Sequence, residues 1–299
     1  MSTAYKTVQT SNLEVAYYDH GEKVGWPVVL SHGFPYDPHA FDEVVPHLTA
    51  KGARVIVPYL RGYGPTRFLS NATPRAGQQA ALGSDLKELL DALEIEKAVL
   101  AGFNWGGLAS CVVTALWPER VSGLVCYAGY DIIDRKAQLQ PSTAGLECVM
   151  WYQHLFQYER GKVCLRNNRR ELAQILWRQW SPTSPFIHKK FDDVAPSFDN
   201  VDFVDVVIGA YRHVLGTEEG DRSLESLEER LATLPAITVP CITLDGTQDP
   251  LKPGGSAAHA HHFVGRHERR EYDVGHAFPL EEPKAFADAI LDVHQWSSE

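Results

Sequence analysis

Short uncharged runs of branched residues alternate with longer stretches of helical periodicity along the first half of the chain. Val8–Gln9 and Leu13–Tyr18 read as short strands joined by a polar turn at Ser11-Asn12. Val28–Ser31, Arg54–Val57, Ala98–Ala101 and Val121–Tyr127 follow as apolar strands. Between them, helical pattern covers Phe41–Lys51, closed by Gly52, then Pro74 to about Leu93, then Leu108–Trp117, stopped by Pro118. Apolar strands alternating with helices predict an α/β fold whose mostly parallel sheet is covered on both faces. From about Arg135 to Leu234 the strand rhythm stops. That stretch is rich in Trp, Tyr, Arg and Gln, with helical pattern at Met150–Tyr158, Arg169–Trp180 and Asp202–Leu215. Strands resume with Cys241–Leu244 and Glu268–Val274, and a helix closes the chain at Pro283–Trp296. The expected organisation is a core of residues 1–134 and 235–299, interrupted by a helical cap over 135–234.

The strand at Val99 runs into Gly102-Phe-Asn104-Trp-Gly-Gly107, and a helix follows at once. Strand, G-x-N-x-G, helix is the layout of a nucleophile elbow, a sharp turn that thrusts its central side chain above the sheet. Glycines flank it because a side chain there would collide with the turn. The central position calls for Ser, Cys or Asp, and this chain has Asn104.

Two later loops supply partners at the same end of the sheet. Asp249 follows the Cys241 strand, and His276 follows the last strand, between Gly275 and a Phe-Pro turn. Elbow residue, acid, histidine is the chain order of one hydrolase architecture. A histidine base needs a carboxylate to hold its tautomer and to stabilise the imidazolium formed in turnover. Asp131, after the Val121 strand, is a second candidate acid. His32-Gly-Phe-Pro35 suits an oxyanion hole, with the backbone N–H groups of Phe34 and Trp105 as donors. Pro35 has no N–H and only shapes the loop.

Composition adds bounds. The chain has 299 residues, 44% hydrophobic and 22% charged, with a net charge of -10. No Lys/Arg cluster is dense enough to grip phosphates, so no nucleic-acid partner is expected. No apolar run reaches the ~18 residues of a membrane span, and the polar start, Met1–Thr10, predicts no signal or anchor. The five cysteines are odd in number and form no C-x-x-C pair. They predict buried thiols in a reducing compartment, the cytoplasm. His259, His261 and His262 lack a spaced ligand set, so no metal is expected, nor any other cofactor. The sequence leaves a homo-oligomer open.

Taken together, His32-Gly-Phe-Pro35, Arg61-Gly-Tyr-Gly64, Gly102-Phe-Asn-Trp-Gly-Gly107, Gly246-x-x-Asp249 and Gly275-His276 resemble the epoxide hydrolase and dehalogenase branch of the α/β-hydrolase fold. The resemblance covers nearly the whole chain and implies a mostly parallel, eight-stranded sheet with an inserted helical cap. Members of that branch place Asp, followed by Trp, at the elbow. In epoxide hydrolases two cap tyrosines hydrogen-bond the epoxide oxygen, which makes Tyr152 and Tyr211 the candidates here. An opening epoxide leaves as an alkoxide and needs such O–H donors. Dehalogenases need N–H donors for halide. Many haloalkane dehalogenases have Asn after His-Gly, where this chain has Phe34. Haloacetate dehalogenases carry arginines near the elbow, where this chain reads Leu108-Ala-Ser110. Both departures favour the epoxide reading over the dehalogenase one. His32, Pro35, Trp151, Gln153 and His154 are expected to line the substrate pocket. The cap aromatics Trp151, Phe156, Trp177 and Trp180 suggest a small apolar or aromatic organic substrate.

With Asp at position 104, the resemblance implies a covalent ester, released by water that His276 and Asp249 activate. A neutral amide is a poor nucleophile, so Asn104 has three readings. In the first, Asp has been replaced by a residue of the same shape, which leaves a substrate-trapping hydrolase with the rest of its apparatus intact. In the second, the chain is a non-hydrolytic ligand-binding protein. In the third, the site hydrolyses its own Asn to Asp.

Overall fold

The computed structural model describes residues 4–184 and 187–298. Among them, nine strands form one sheet: β1 Lys6–Gln9, β2 Leu13–His20, β3 Trp26–Ser31, β4 Ala53–Pro58, β5 Arg67–Phe68, β6 Ala98–Gly102, β7 Val121–Tyr127, β8 Cys241–Gly246 and β9 His267–Tyr272. The order across the sheet is β1-β2-β4-β3-β6-β7-β8-β9, and two-residue β5 pairs with β2 beside that path. β2 is antiparallel to its neighbours β1, β4 and β5, while every pairing from β4 to β9 is parallel. The expected eight strands are therefore present. The ninth, β5, is too short to leave a periodic trace in sequence.

Burial follows strand position. β6, at the centre, is buried at all five residues, and Val28, Val29 and Leu30 of β3 are fully enclosed. Strands covered by helices on both faces have no use for polar alternation. The edge strand β9, His-Glu-Arg-Arg-Glu-Tyr, is charged instead, and Arg270 pairs with Glu268 and Asp292. Charges on an exposed edge discourage pairing with another chain.

Twelve helices among the described residues accompany the sheet: α1 Val45–Thr49, α2 Gln79–Ala92, α3 Trp105–Leu116, α4 Arg135–Gln138, α5 Ala144–Val149, α6 Trp151–Phe156, α7 Glu159–Trp180, α8 Ile187–Val194, α9 Phe203–Val214, α10 Glu225–Leu231, α11 Phe278–Glu281 and α12 Pro283–Trp296. Helices α4 to α10 lie between β7 and β8, and no strand occurs among the described residues of that interval. Both ends of the helical stretch are tied to the start of α2. Glu228 accepts from Gln78 Nε2, Gln79 Nε2 and the N–H of Ala80, while Gln79 Oε1 accepts from the N–H of Ile133.

Several boundaries differ from the expected ones, each for a local reason. The helix expected over Phe41–Lys51 is a 3-10 turn, Pro38–Phe41, followed by α1, because Pro46 fits only a first helical turn. The helix expected from Pro74 starts at Gln79. Before it, Arg75 reaches across to Asp202 at 2.9 Å and Gln78 is extended. The helix expected over Met150–Tyr158 is the shorter α6, Trp151–Phe156, set off at Met150 from α5, which precedes the expected range. The one expected over Arg169–Trp180 begins earlier, at Glu159, and kinks at Asn168, whose side-chain amide bonds the Cys164 carbonyl.

Candidate active site

β6 ends at Gly102 and α3 begins at Trp105, which leaves two residues to reverse the chain. Asn104 takes the strain at φ 55° and ψ −128°. Such a backbone costs a non-glycine residue about 1–3 kcal/mol and persists only where the surroundings enforce it. Here they do: a Cβ on Gly106 would lie 1.9 Å from the Ser31 carbonyl oxygen, so the turn is pressed against β3. The result is an Asn side chain presented above the sheet at the N-terminus of α3.

Its contacts fix its orientation. Asn104 Oδ1 accepts from the N–H of Trp105 at 2.7 Å and from the N–H of Phe34 at 3.1 Å. The side-chain nitrogen therefore faces His276 and lies 2.9 Å from Nε2. An amide nitrogen only donates, so Nε2 is the acceptor and the ring proton sits on Nδ1. Nδ1 donates it to Asp249 Oδ2, with 2.8 Å between the nitrogen and the oxygen.

Asp249 is buried and well supplied with donors. Its Oδ1 accepts from the N–H of Leu251 at 2.8 Å, and the Tyr127 hydroxyl lies 3.0 Å from Oδ2 and 2.7 Å from the Gly275 carbonyl. Burial pushes this carboxyl up, but the His276 ring and these donors outweigh it and hold Asp249 below the usual carboxylate range. The loop carrying His276 is pinned to the end of α7. The N–H of His276 donates to the Trp180 carbonyl at 3.0 Å, and the N–H of Ala277 donates to Ser181 Oγ at 3.1 Å.

Asn104 and His276 open onto a cavity of about 730 Å³. Trp105, Leu108, Tyr152, Gln153, His154 and Tyr211 also line it, with Met150, Leu146 and residues 137–142 toward α4 and α5. The rings of Tyr152 and Tyr211 meet edge to face, 5.2 Å apart at 90°. Burial raises both phenols, Tyr211 well above its ordinary value, so each keeps its proton at neutral pH. The Tyr152 hydroxyl accepts from Gln153 Nε2 at 3.2 Å. His154 pairs with Glu147 at 2.8 Å near the outer part of the cavity.

Three expected pocket residues lie elsewhere. His32 is fully buried behind the loop: Nδ1 donates to the Gly33 carbonyl at 3.1 Å, and Nε2 accepts from the N–H of Leu60 at 3.1 Å. Burial pushes its pKa down to about 3. Pro35 follows a cis peptide and offers its carbonyl to Trp177 Nε1 at 2.8 Å, which shapes the His32–Pro35 loop from behind. The indole N–H of Trp151 turns away to Gln179 at 3.0 Å. All three are structural because their polar groups already have backbone or side-chain partners outside the cavity. Phe156, Trp177 and Trp180 are likewise enclosed in the core.

Asp131 also lines the cavity, but its Oδ1 pairs with Lys252 at 3.3 Å, and Asp249 holds the imidazole. Sequence reasoning missed Lys252 and Tyr127. Tyr127 had a signal: it ends β7, beside the strand that leads to Asp249. His259 and His262 are structural neighbours of Tyr130, whose N–H donates to His259 Nδ1 and whose ring stacks on His262.

The family model for the alpha/beta hydrolase fold matches residues 27–283. This chain belongs to the α/β-hydrolase family. The hydrolase is similar, at 42% identity over 97% of both chains and a TM-score of 0.94, to the crystal structure of a "putative epoxide hydrolase" from Klebsiella pneumoniae. It is 34% identical over 119 residues to epoxide hydrolase 3 of Siraitia grosvenorii, which is 40% of this chain and 36% of that protein. It is 33% identical over 112 residues to a haloalkane dehalogenase of Psychrobacter cryohalolentis, 38% of this chain and 36% of the relative. The hydrolase thus spans little more than a third of the length of these curated relatives. Among its described residues, no helix is long and apolar enough to cross a membrane.

Proposed function

We propose that this α/β-hydrolase is built to open an epoxide to a vicinal diol, and that residue 104 is where carbon becomes bonded to the enzyme. The observation carrying this reading is the placement of one side chain. Asn104 faces the cavity between two backbone N–H donors and the His276–Asp249 pair, with Tyr152 and Tyr211 on the same cavity.

With a carboxylate at position 104, one oxygen attacks an epoxide carbon and the C–O bond breaks. Tyr152 and Tyr211 donate hydrogen bonds to the alkoxide and supply its proton. The positive end of α3 favours the carboxylate before attack. Water, deprotonated by His276, then attacks Cγ of the ester. The N–H groups of Phe34 and Trp105 hold the oxyanion and Asp249 steadies the imidazolium; the ester C–O bond then breaks, the new carboxyl gives its proton to the departing diol oxygen, and the imidazolium proton restores the tyrosine that gave one up. Residues 135–234 act as the cap in this reading, contributing both tyrosines and closing the cavity. The substrate is a small apolar or aromatic organic molecule.

With Asn104 the attacking atom is a neutral amide, and the first step stops. While the amide stands, the protein binds substrate without consuming it. The deciding experiment replaces Asn104 by Asp and assays diol formation on a panel of epoxides. Turnover in N104D, and none in a freshly made Asn104 protein, is the expected result. Failure of N104D on the whole panel overturns the reading. Halide release from the same variant with haloalkanes, without diol formation, would transfer it to the dehalogenase class that one relative's name describes.

A further inference from the structure

We infer that the site hydrolyses its own side chain: Asn104 is a latent nucleophile that the enzyme converts to an aspartate. This rests on the reading above only for what the new carboxylate then does. The hydrolysis itself rests on the contacts of the amide.

The carbonyl carbon Cγ of Asn104 occupies the position of the ester carbon in the second half of the proposed reaction. Its oxygen already accepts two backbone N–H bonds, at 2.7 and 3.1 Å. Those donors polarise the carbonyl and are aligned for the negative charge that develops when water adds. The leaving nitrogen, Nδ2, lies 2.9 Å from the nitrogen that would carry the transferred proton, His276 Nε2. Asp249, on the far side of the ring, stabilises the cation formed meanwhile. An exposed asparagine amide has none of these partners.

The step balances without an added reagent. Water from the cavity takes the place of the amide N–H at His276 Nε2, gives that nitrogen its proton and adds to Cγ. The tetrahedral oxyanion is held by Phe34 and Trp105. It collapses with cleavage of the Cγ–Nδ2 bond, and the imidazolium returns its proton to the departing nitrogen. The products are an aspartate side chain at position 104 and ammonia.

The usual spontaneous route is closed by the same geometry. That route needs the following peptide nitrogen to attack Cγ and passes through a cyclic imide. The Trp105 nitrogen is instead the first in α3, and its N–H is committed to Oδ1. The two routes differ in product. Direct hydrolysis gives only the normal α-linked aspartate, whereas the cyclic imide opens largely to isoaspartate.

The full chain is therefore purified quickly, incubated in water enriched in oxygen-18, and followed by peptide mass mapping. The expected result is an amide-to-acid exchange at residue 104 with one labelled oxygen. The linkage is α, and exchange is far faster than at Asn71, which is exposed in a turn. H276Q and D249N should each slow it by at least about 100-fold. An amide at 104 that outlasts Asn71, isoaspartate at 104, or rates in H276Q and D249N equal to that of the unaltered chain would each overturn the inference. The two readings fail separately. If N104D opens epoxides but the amide never converts, only this inference falls. If the amide converts but the resulting acid form opens no epoxide, only the proposed function falls.

Discussion

The side-chain nitrogen of Asn104 donates to Nε2 of His276 across 2.9 Å, and this contact sets which imidazole nitrogen carries the proton. It fixes the imidazole as the Nδ1–H tautomer, which is the form that can take a proton at Nε2 while Asp249 holds the other nitrogen. A carboxylate at 104 fits the same space and removes that donor from Nε2, which leaves the nitrogen free to engage water.

That division of labour predicts where the reaction stalls. In the N104D background, H276Q or D249N should leave ester formation in place and slow ester hydrolysis by about 10²–10⁴-fold. Incubation with an epoxide should then yield a covalent adduct on residue 104, read by mass. A variant that loses turnover without accumulating adduct would show that His276 acts before the ester forms.

Tyr152 and Tyr211 line the cavity from α6 and α9, and each retains its proton because burial raises its pKa. Y152F and Y211F in the N104D background should each lower the rate of adduct formation by about 10²–10³-fold, the scale of one lost donor to a developing oxyanion. Substrate binding should weaken far less. Pre-steady-state kinetics with an epoxide separates the two effects.

Gly33 sits against the Asn104 side chain. A Cβ there would lie 2.3 Å from Asn104 Cβ and 2.6 Å from its Cγ and Oδ1. G33A should push the side chain off the two N–H donors and cost about 1–3 kcal/mol by overpacking. A fall in melting temperature together with loss of adduct formation in N104D checks this. Gly145 in α5 is the control, since nothing lies within 4 Å of its added Cβ. G145A should be neutral or stabilising by about 0.5–1 kcal/mol.

Much of this arrangement was legible in the sequence because the core obeys local rules. β6 reads as a buried strand, Gly102 and Gly106 mark the turn, and Asp249 and His276 follow strands that end at the same edge of the sheet. The helical stretch between β7 and β8 was legible only as helix, and its packing was not. Trp151 and Tyr152 are adjacent in sequence and share α6, yet only Tyr152 reaches the cavity, while the Trp151 N–H bonds Gln179 on α7. Helical phase relative to a distant helix leaves no mark on neighbouring residues. His32 misled for a similar reason: its place beside Gly33 suggested the pocket, but its ring turns inward to bond the N–H of Leu60, a partner 28 residues away.

The inward turn of His32 has its own consequence for pH. The ring is fully buried, one nitrogen donates and the other accepts, so the site holds neutral imidazole only. Burial depresses its pKa to about 3, whereas an unfolded histidine titrates near 6.5. Between those values the unfolded chain binds a proton that the folded chain refuses, so stability falls as pH falls. The contribution is complete above about pH 6.5 and should be lost at about 1 kcal/mol per pH unit on the way down. H32Q, which can still donate and accept, should unfold more readily at pH 7.5 but show a shallower loss of stability between pH 6 and pH 4. Urea unfolding at a series of pH values measures both slopes. Equal slopes in the two proteins would mean that other groups, not this ring, govern the acid side of the stability curve.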